Sequence, residues 1–347
     1  MPASHPSRKD AGWACVLRER EKTMLLRIVA PFPVAALALS AVLSACGGAS
    51  PTVPVGSGSL ARAQLASAPP LSKSDGGLVY TAQLYGQDAE VYRRKGLHLK
   101  PIKTLMKGLN EPQGTVTTVN GWWYIANEGD SNVLIYRTLN GRPRGPQSSL
   151  SDYDELPVNV DVTPSRKLAA VSNYLTTDGA AGSVSIYLDR ESVPSRMLTY
   201  GSDQIEGEGI AISHRGDCYW SFQDATTGSG SIVEFGGCQG TGTPIVSGIG
   251  QAGGIALDQA DDLYYVDTRA ARIYQCEHTS SCQPLLTGPY VLVAPVNINF
   301  DLHEKDLWVA DAGGYIDAIN AKTGVIEYQY PTGSSNPPFG VAPEPGD

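Results

Sequence analysis

The sequence has no basic cluster: its 26 lysines and arginines are scattered among 35 aspartates and glutamates. Nucleic acid and charged membrane patches need grouped cations, so neither is an expected partner. Histidine is scarce, five residues in 347, and no Cys/His group has zinc-ligand spacing. No Gly-x-Ser-x-Gly elbow and no phosphate loop occurs. The sequence therefore offers no catalytic residue. Helical periodicity is missing too. Apolar residues come in short β-branched or aromatic runs cut by Gly, Asp and Asn, not at i, i+3 and i+4.

One apolar run is present, Ile28 to Leu43, preceded by Arg18, Arg20, Lys22 and Arg27 and ending in Leu43-Ser44-Ala45-Cys46. A basic segment, an apolar segment and small residues before a cut make a secretory signal. At sixteen residues, with Pro31 and Pro33 inside it, the run is too short and too broken for a spanning helix. The final tetrad resembles the bacterial lipobox, in which the cysteine thiol is diacylated before cleavage. That resemblance implies a signal peptide over 1–45 and membrane attachment through acyl chains on Cys46; residues 1–23 are polar and add nothing a signal needs, so Met24 reads as the true start. Gly47 in place of Asp resembles the outer-membrane sorting pattern, so the expected location is that membrane, facing the periplasm or the cell surface. Residues 46–76 are rich in Ser, Pro, Gly and Ala and cannot bury enough surface to fold. They read as a tether, and a coil of about 29 residues spans roughly 30 Å.

Residues 77–347 repeat six times. Each unit opens on Pro-x-Gly or a variant: Pro112-Gln113-Gly114, Pro157-Val158-Asn159, Gly207-Glu208-Gly209, Ala252-Gly253-Gly254, Pro295-Val296-Asn297 and Pro338-Phe339-Gly340. A second strand follows and ends on an amide or acid: Gln83, Asn127, Asn173, Gln223, Asp267 and Asp311, at steps of 44, 46, 50, 44 and 44 residues. A period in the mid-forties with several short strands per unit marks propeller blades. The last opening motif lacks a second strand and the first second strand lacks an opening one. Joined, they make a shared blade that closes the ring and removes free edges. The expected fold is all-β, a six-bladed β-propeller.

Leu307-Trp308-Val309-Ala310-Asp311 and Trp123-Tyr124-Ile125-Ala126-Asn127 resemble the second strand of NHL and YVTN-type repeats, and Gly209–Ala211 and Gly254–Ala256 resemble their Gly-Ile-Ala opening. This resemblance implies the fold and leaves function open, because such blades serve enzymes, sensors and adhesion modules. The amide or acid in every blade is expected to shape turns by bonding the backbone that follows it. The aromatics Tyr92, Tyr136, Tyr187 and Phe235 end third strands and fill space between sheets.

Beyond Cys15 and Cys46, four cysteines remain in an exported domain. Four allow three pairings, and spacing alone selects none. Cys276 takes the aromatic position of blade five, with Cys282 six residues on. Cys218 lies on the second strand of blade four, and Cys238 follows the third. These placements favour Cys276–Cys282 and Cys218–Cys238, against free thiols or another pairing. A redox or stress sensor using these cysteines is one functional class to weigh.

The repeat also resembles, more distantly, the SMP-30/gluconolactonase group, whose divalent metal is held where the opening strands begin. The resemblance puts ligands at Gln113, Val158, Glu208, Gly253, Val296 and Phe339. Only Gln113 and Glu208 offer oxygen, too few for a hard cation. Asn159 and Asn297, one position later, join them only if the register slips. These four are the candidates for ligand binding at the channel mouth. No cofactor is implied, a divalent cation being the single one in question. His98, His214, His278 and His303 fall in loops or turns, with His214 and His303 on the face away from that mouth.

The loops after the second strands and the connections between blades carry Asp88, Glu128, Asp130, Asp152, Asp154, Glu155, Asp178, Asp203, Glu206, Glu208, Asp224 and Arg269. Binding is expected on this face, since function sits on loops over a rigid scaffold. The expected function is a lipid-anchored, non-enzymatic binding or scaffold module for a protein or small-molecule ligand. The alternative is a metal-dependent lactonase with a degenerate channel site.

Overall fold

The structure is a computed structural model that describes residues 77–344 except 96–97, 139–142, 144, 202–203, 278–280, 286–290, 302 and 334. The expectations for residues 1–76, and those for Asp203 and His278, lie outside the described residues. Six four-stranded antiparallel sheets form. Blade two is representative, with Pro112–Thr118 innermost, then Trp122–Asn127, Asn132–Arg137 and Pro146–Ser151. The innermost strands of blades three to six are Glu155–Val162, Ile205–Ile212, Ala252–Leu257 and Pro295–Phe300. Blade one is the shared one. Its innermost strand Gly340–Pro343 pairs with Leu78–Gln83, placing Ala82 opposite Gly340 and Val79 opposite Pro343. Each innermost strand packs on the next, and the ring closes from blade six through blade one to blade two. The chain is a six-bladed β-propeller. No α-helix occurs among the described residues, and none of their helices is long and apolar enough to cross a membrane.

The second strands are mostly apolar because both of their faces are buried. In blade two, Trp123 and Ile125 pack toward blade one while Tyr124 packs toward blade three. Period-two alternation thus serves two cores at once. Each pair of neighbouring blades encloses its own apolar cluster, six in all. Tyr92, Tyr136, Tyr187 and Phe235 fill these clusters as expected, each at most 2 % exposed. Cys276 occupies the corresponding place in blade five, opposite Leu263.

Both disulfides form, Cys218–Cys238 and Cys276–Cys282. The second links directly opposed residues of adjacent strands. Two disulfides in one domain are the mark of an oxidising, extracytoplasmic environment.

The opening motif has a structural cause. At the start of the innermost strands of blades two to six the register shifts, as at a β-bulge. A bulge tolerates proline, which has no N–H for a ladder. The third position of the motif faces the neighbouring blade. A β-carbon on Gly114 would stand 2.6 Å from the carbonyl oxygen of Val158. Close approach of two backbones is what excludes a side chain there.

In blades two, five and six the amide or acid ending the second strand departs from expectation in its main partner, whereas Asn173 bonds Ser183 and Ser185, Gln83 bonds Thr81, and Gln223 accepts the N–H of Ala252 in the next blade. Asn127 accepts the N–H of Asn110 at 2.7 Å, and Asp311 accepts those of Val293 and Ala294 at 2.7 and 2.8 Å. Asp267 does the same for Gly250 and Gln251, at 2.9 and 3.1 Å. These partners precede the side chain and belong to the connection entering the blade. The second strand ends beside that connection, so its last side chain clips the incoming chain. Bonds to following backbone also form, from Ala270 to Asp267 and from Gly313 to Asp311.

Candidate functional site

The channel has two mouths. The innermost strands begin at one, the entry mouth, and end at the other, the exit mouth. At the entry mouth the Gln113 amide donates to the Glu128 carboxylate. Glu128 sits in a short 3-10 turn directly after the second strand of blade two. Glu208 lies on the bulge of blade four between Gly207 and Ile210. Burial holds its carboxyl well above the usual carboxylate range, and the charges of Glu206 and Glu128 push it further. Gln113, Glu128, Glu206 and Glu208 therefore share one acidic neighbourhood. The opening motif revealed Gln113 and Glu208, but the contribution of Glu128 depends on how its turn folds back.

Asn159 and Asn297 are placed differently. Both are buried, 5 % and 3 % exposed, in the third position of their motifs. Each packs over the glycine at the same position of the preceding blade, Asn159 on Gly114 and Asn297 on Gly254. Asn159 Oδ1 also accepts the N–H of its neighbour Val160 at 2.8 Å. Among the described residues no group of three or more His, Cys, Asp or Glu side chains is placed to hold a metal ion.

The exit mouth opens into a cavity of about 740 Å³ lined by residues of all six blades, from Val116 and Asp161 round to Asn299 and Pro343. This lies on the face opposite the one on which sequence placed binding. A volume of this size is ordinary for a small-molecule pocket, which typically holds about 300–1,000 Å³.

The polar groups around this cavity join the blades in sequence. Thr117 Oγ1 donates to the Pro343 carbonyl at 2.6 Å, linking blades two and one. Asn120 donates to the Pro164 carbonyl at 3.1 Å, linking two and three. Asp161 accepts the Ile212 N–H at 2.7 Å, linking three and four. Asp261 accepts the His214 N–H at 3.0 Å and lies 3.3 Å from His214 Nδ1, linking four and five. Glu304 accepts the Gln259 N–H at 2.9 Å, linking five and six. Asn299 closes the ring, its amide donating to Val341 O at 2.7 Å and Thr115 O at 2.9 Å. Every interface between blades thus carries at least one side-chain clasp at this mouth.

Electrostatics at the exit mouth are acidic. Burial raises the Asp161 carboxyl, while N–H bonds from Ile212 and Val162 partly offset it. Burial likewise raises Asp301 and Glu304. Arg94 contacts Asp301 at 3.7 Å and Asp306 at 2.5 Å. His214, a turn residue in the sequence, is therefore a rim residue of a cavity, and no motif marked Asp161 or Asn299. In most blades their counterparts are apolar, among them Val116, Ala256 and Ala342. A departure from the repeat at that one position was the only available clue.

No protein-family model matches the chain, and no curated protein matches it in sequence. Solved structures share its fold. A chain of a nidogen/laminin complex superposes with a TM-score of 0.59 at 13 % identity, covering 77 % of this chain and 98 % of that one. A candidate 6-phosphogluconolactonase from Bacteroides uniformis gives 0.55 at 12 % identity, covering 78 % and 99 %. A calcium-binding protein, regucalcin, from Agrobacterium tumefaciens gives 0.47 at 12 % identity, covering 64 % and 74 %. At these identities the first two likenesses are ones of fold, and they agree with the six-bladed ring seen here.

Proposed function

We propose that this protein is an exported binding module, anchored in the bacterial cell envelope through Cys46, that takes a small polar ligand in its exit-mouth cavity. The observation that carries the reading is the ring of clasps around that cavity. Asp161 and Asn299, its most distinctive polar side chains, hold backbone groups of neighbouring blades. Groups fixed in this way shape a rigid recess and are not free to exchange protons with a substrate. Rigid recesses bind with little reorganisation cost.

The acidic lining from Asp161, Asp301 and Glu304, set against His214, favours a neutral or cationic ligand over a phosphorylated or carboxylated one. A thermal-shift panel of sugars, polyols, amines and anionic sugar acids tests this on the full chain. Binders are expected among the uncharged and cationic compounds and should be lost in Val116→Trp, which fills the recess. Selective binding of the anionic compounds would defeat the reading.

A hydrolase is the second reading, favoured by one observation, the His214–Asp261 pair at the cavity rim. An aspartate beside a histidine is how a general base is oriented. Lactone turnover that disappears in His214→Ala would establish it in place of the binding module.

A further inference from the structure

We infer that blade three carries a site for a hard divalent cation of the calcium class, built from Asp152, Glu155 and Asn173. Asp152 lies in the connection entering the blade, Glu155 opens its innermost strand, and Asn173 lies on its second strand, Leu168–Thr176. Asp152 and Asn173 are fully buried, and Glu155 is 8 % exposed. None of the three belongs to the entry-mouth group of Gln113 and Glu208 or to the exit-mouth cavity.

The hydrogens of this cluster can be followed one by one. Asn173 Nδ2 donates to Ser183 Oγ at 3.0 Å and to Ser185 Oγ at 2.9 Å. Ser185 donates to Asp152 Oδ1 at 2.5 Å. Ser183 bonds Glu155. Tyr187, whose hydroxyl lies near Asp152, donates to the Ser151 carbonyl at 3.0 Å. Every one of these donors is engaged. Three buried oxygens are left without a partner: Asp152 Oδ2, Glu155 Oε2 and Asn173 Oδ1.

Native interiors rarely leave one such acceptor unmatched, and each calls for a missing partner. Three in one connected network, two of them on carboxylates, call for positive charge. Among the described residues no lysine or arginine forms an ion pair with either carboxylate. Asp154 and Asp178 add further negative charge around Glu155. Two carboxylates and an amide carbonyl form an oxygen-only donor set, which suits calcium, with water completing the shell. The absence of sulfur and imidazole from the set disfavours zinc and copper. Glu155, the least buried of the three donors, forms the lip of the site, two residues from the exposed Tyr153.

The test is a Ca²⁺ titration of the chelator-treated full chain, read by calorimetry, by melting temperature and by Tb³⁺ luminescence sensitised by Tyr187. One site is expected, with a Kd of about 10⁻⁴–10⁻³ M, the range of extracellular calcium modules. The melting temperature should rise with added Ca²⁺. Asp152→Asn and Glu155→Gln should each weaken binding by roughly tenfold or more, whereas Asp154→Asn should cost only about two- to threefold by removing distant charge. Should Asp152→Asn fail to fold, Glu155→Gln at the lip decides the matter alone. Asp317→Asn, in blade six, should leave Ca²⁺ affinity unchanged. The site is overturned by the absence of heat and melting shift at about 10 mM Ca²⁺, well above the weak limit of such modules. It is equally overturned if Glu155→Gln binds Ca²⁺ as the parent does.

Discussion

Asp161, on the innermost strand of blade three, accepts the backbone N–H of Ile212, on the innermost strand of blade four, at 2.7 Å. The bond runs between blades where no strand pairing joins them. Replacing Asp161 by Ala leaves that N–H without its acceptor beside the channel, a loss of about 1–3 kcal/mol. The melting temperature should fall by roughly 2–4 °C per kcal/mol. Asp161→Asn keeps an oxygen in place and should recover most of the loss. Calorimetry that finds Ala and Asn variants equally stable would remove the clasp from the account.

Asp317, on the third strand of blade six, is fully buried, and neither carboxylate oxygen has a hydrogen-bond partner in good geometry. Burial first, then the charge of Asp311, raises its carboxyl to about 8, with only the nearby Gln329 amide opposing. The folded protein therefore holds this proton up to about pH 8, while the unfolded chain releases it near the ordinary value of about 3.9. Between those limits the folded state binds one more proton, so stability falls as pH rises. Asp317→Asn should flatten that slope. At pH 8 the variant should be more stable than the parent by about 1–3 kcal/mol, and near pH 4 the two should match. Parallel melting curves across the range would contradict it.

The two disulfides should contribute unequally. Cys218–Cys238 closes 20 residues and Cys276–Cys282 closes six. Loop-closure entropy assigns about 3 kcal/mol to the longer loop and about 2 kcal/mol to the shorter. Cys218 and Cys238 are also packed in the apolar cluster with Trp220 and Phe235. The double serine variant in blade four should therefore lose more stability than that in blade five. Denaturant melts of the two, compared at constant slope, give the order directly.

Cys46→Ala should release the protein from the membrane fraction while leaving its melting temperature unchanged. Fractionation of cells expressing the variant, with immunoblotting, makes the comparison. Retention in the membrane would eliminate the lipid anchor.

Much of the scaffold was legible because repetition amplifies weak signals. One strand such as Leu263–Asp267 is ambiguous, but six at near-constant spacing are not. The cysteine pairs were legible for a related reason, since Cys276 breaks an aromatic series. The binding features were not legible in the same way. Glu208 stood out by its motif, yet Asn159 and Asn297 pack on glycines of the preceding blade. Ser183 and Ser185 read as unremarkable strand residues until their hydroxyls are seen joining Glu155, Asn173 and Asp152.

Spacing and alternation by themselves determined six blades, the shared closing blade and the buried second strands, because these follow from local pattern and from the need to bury apolar surface. Tertiary structure alone decided which polar side chains meet. Asp161 and Ile212 are 51 residues apart, and Asn299 and Thr115 are 184 apart. The first pair depends on the packing of consecutive blades, and the second on ring closure, which brings blade six within reach of blades one and two. Ring closure also put the 740 Å³ cavity at the exit mouth, and no local rule foretells the width of a channel. That width depends on how all six innermost strands pack together.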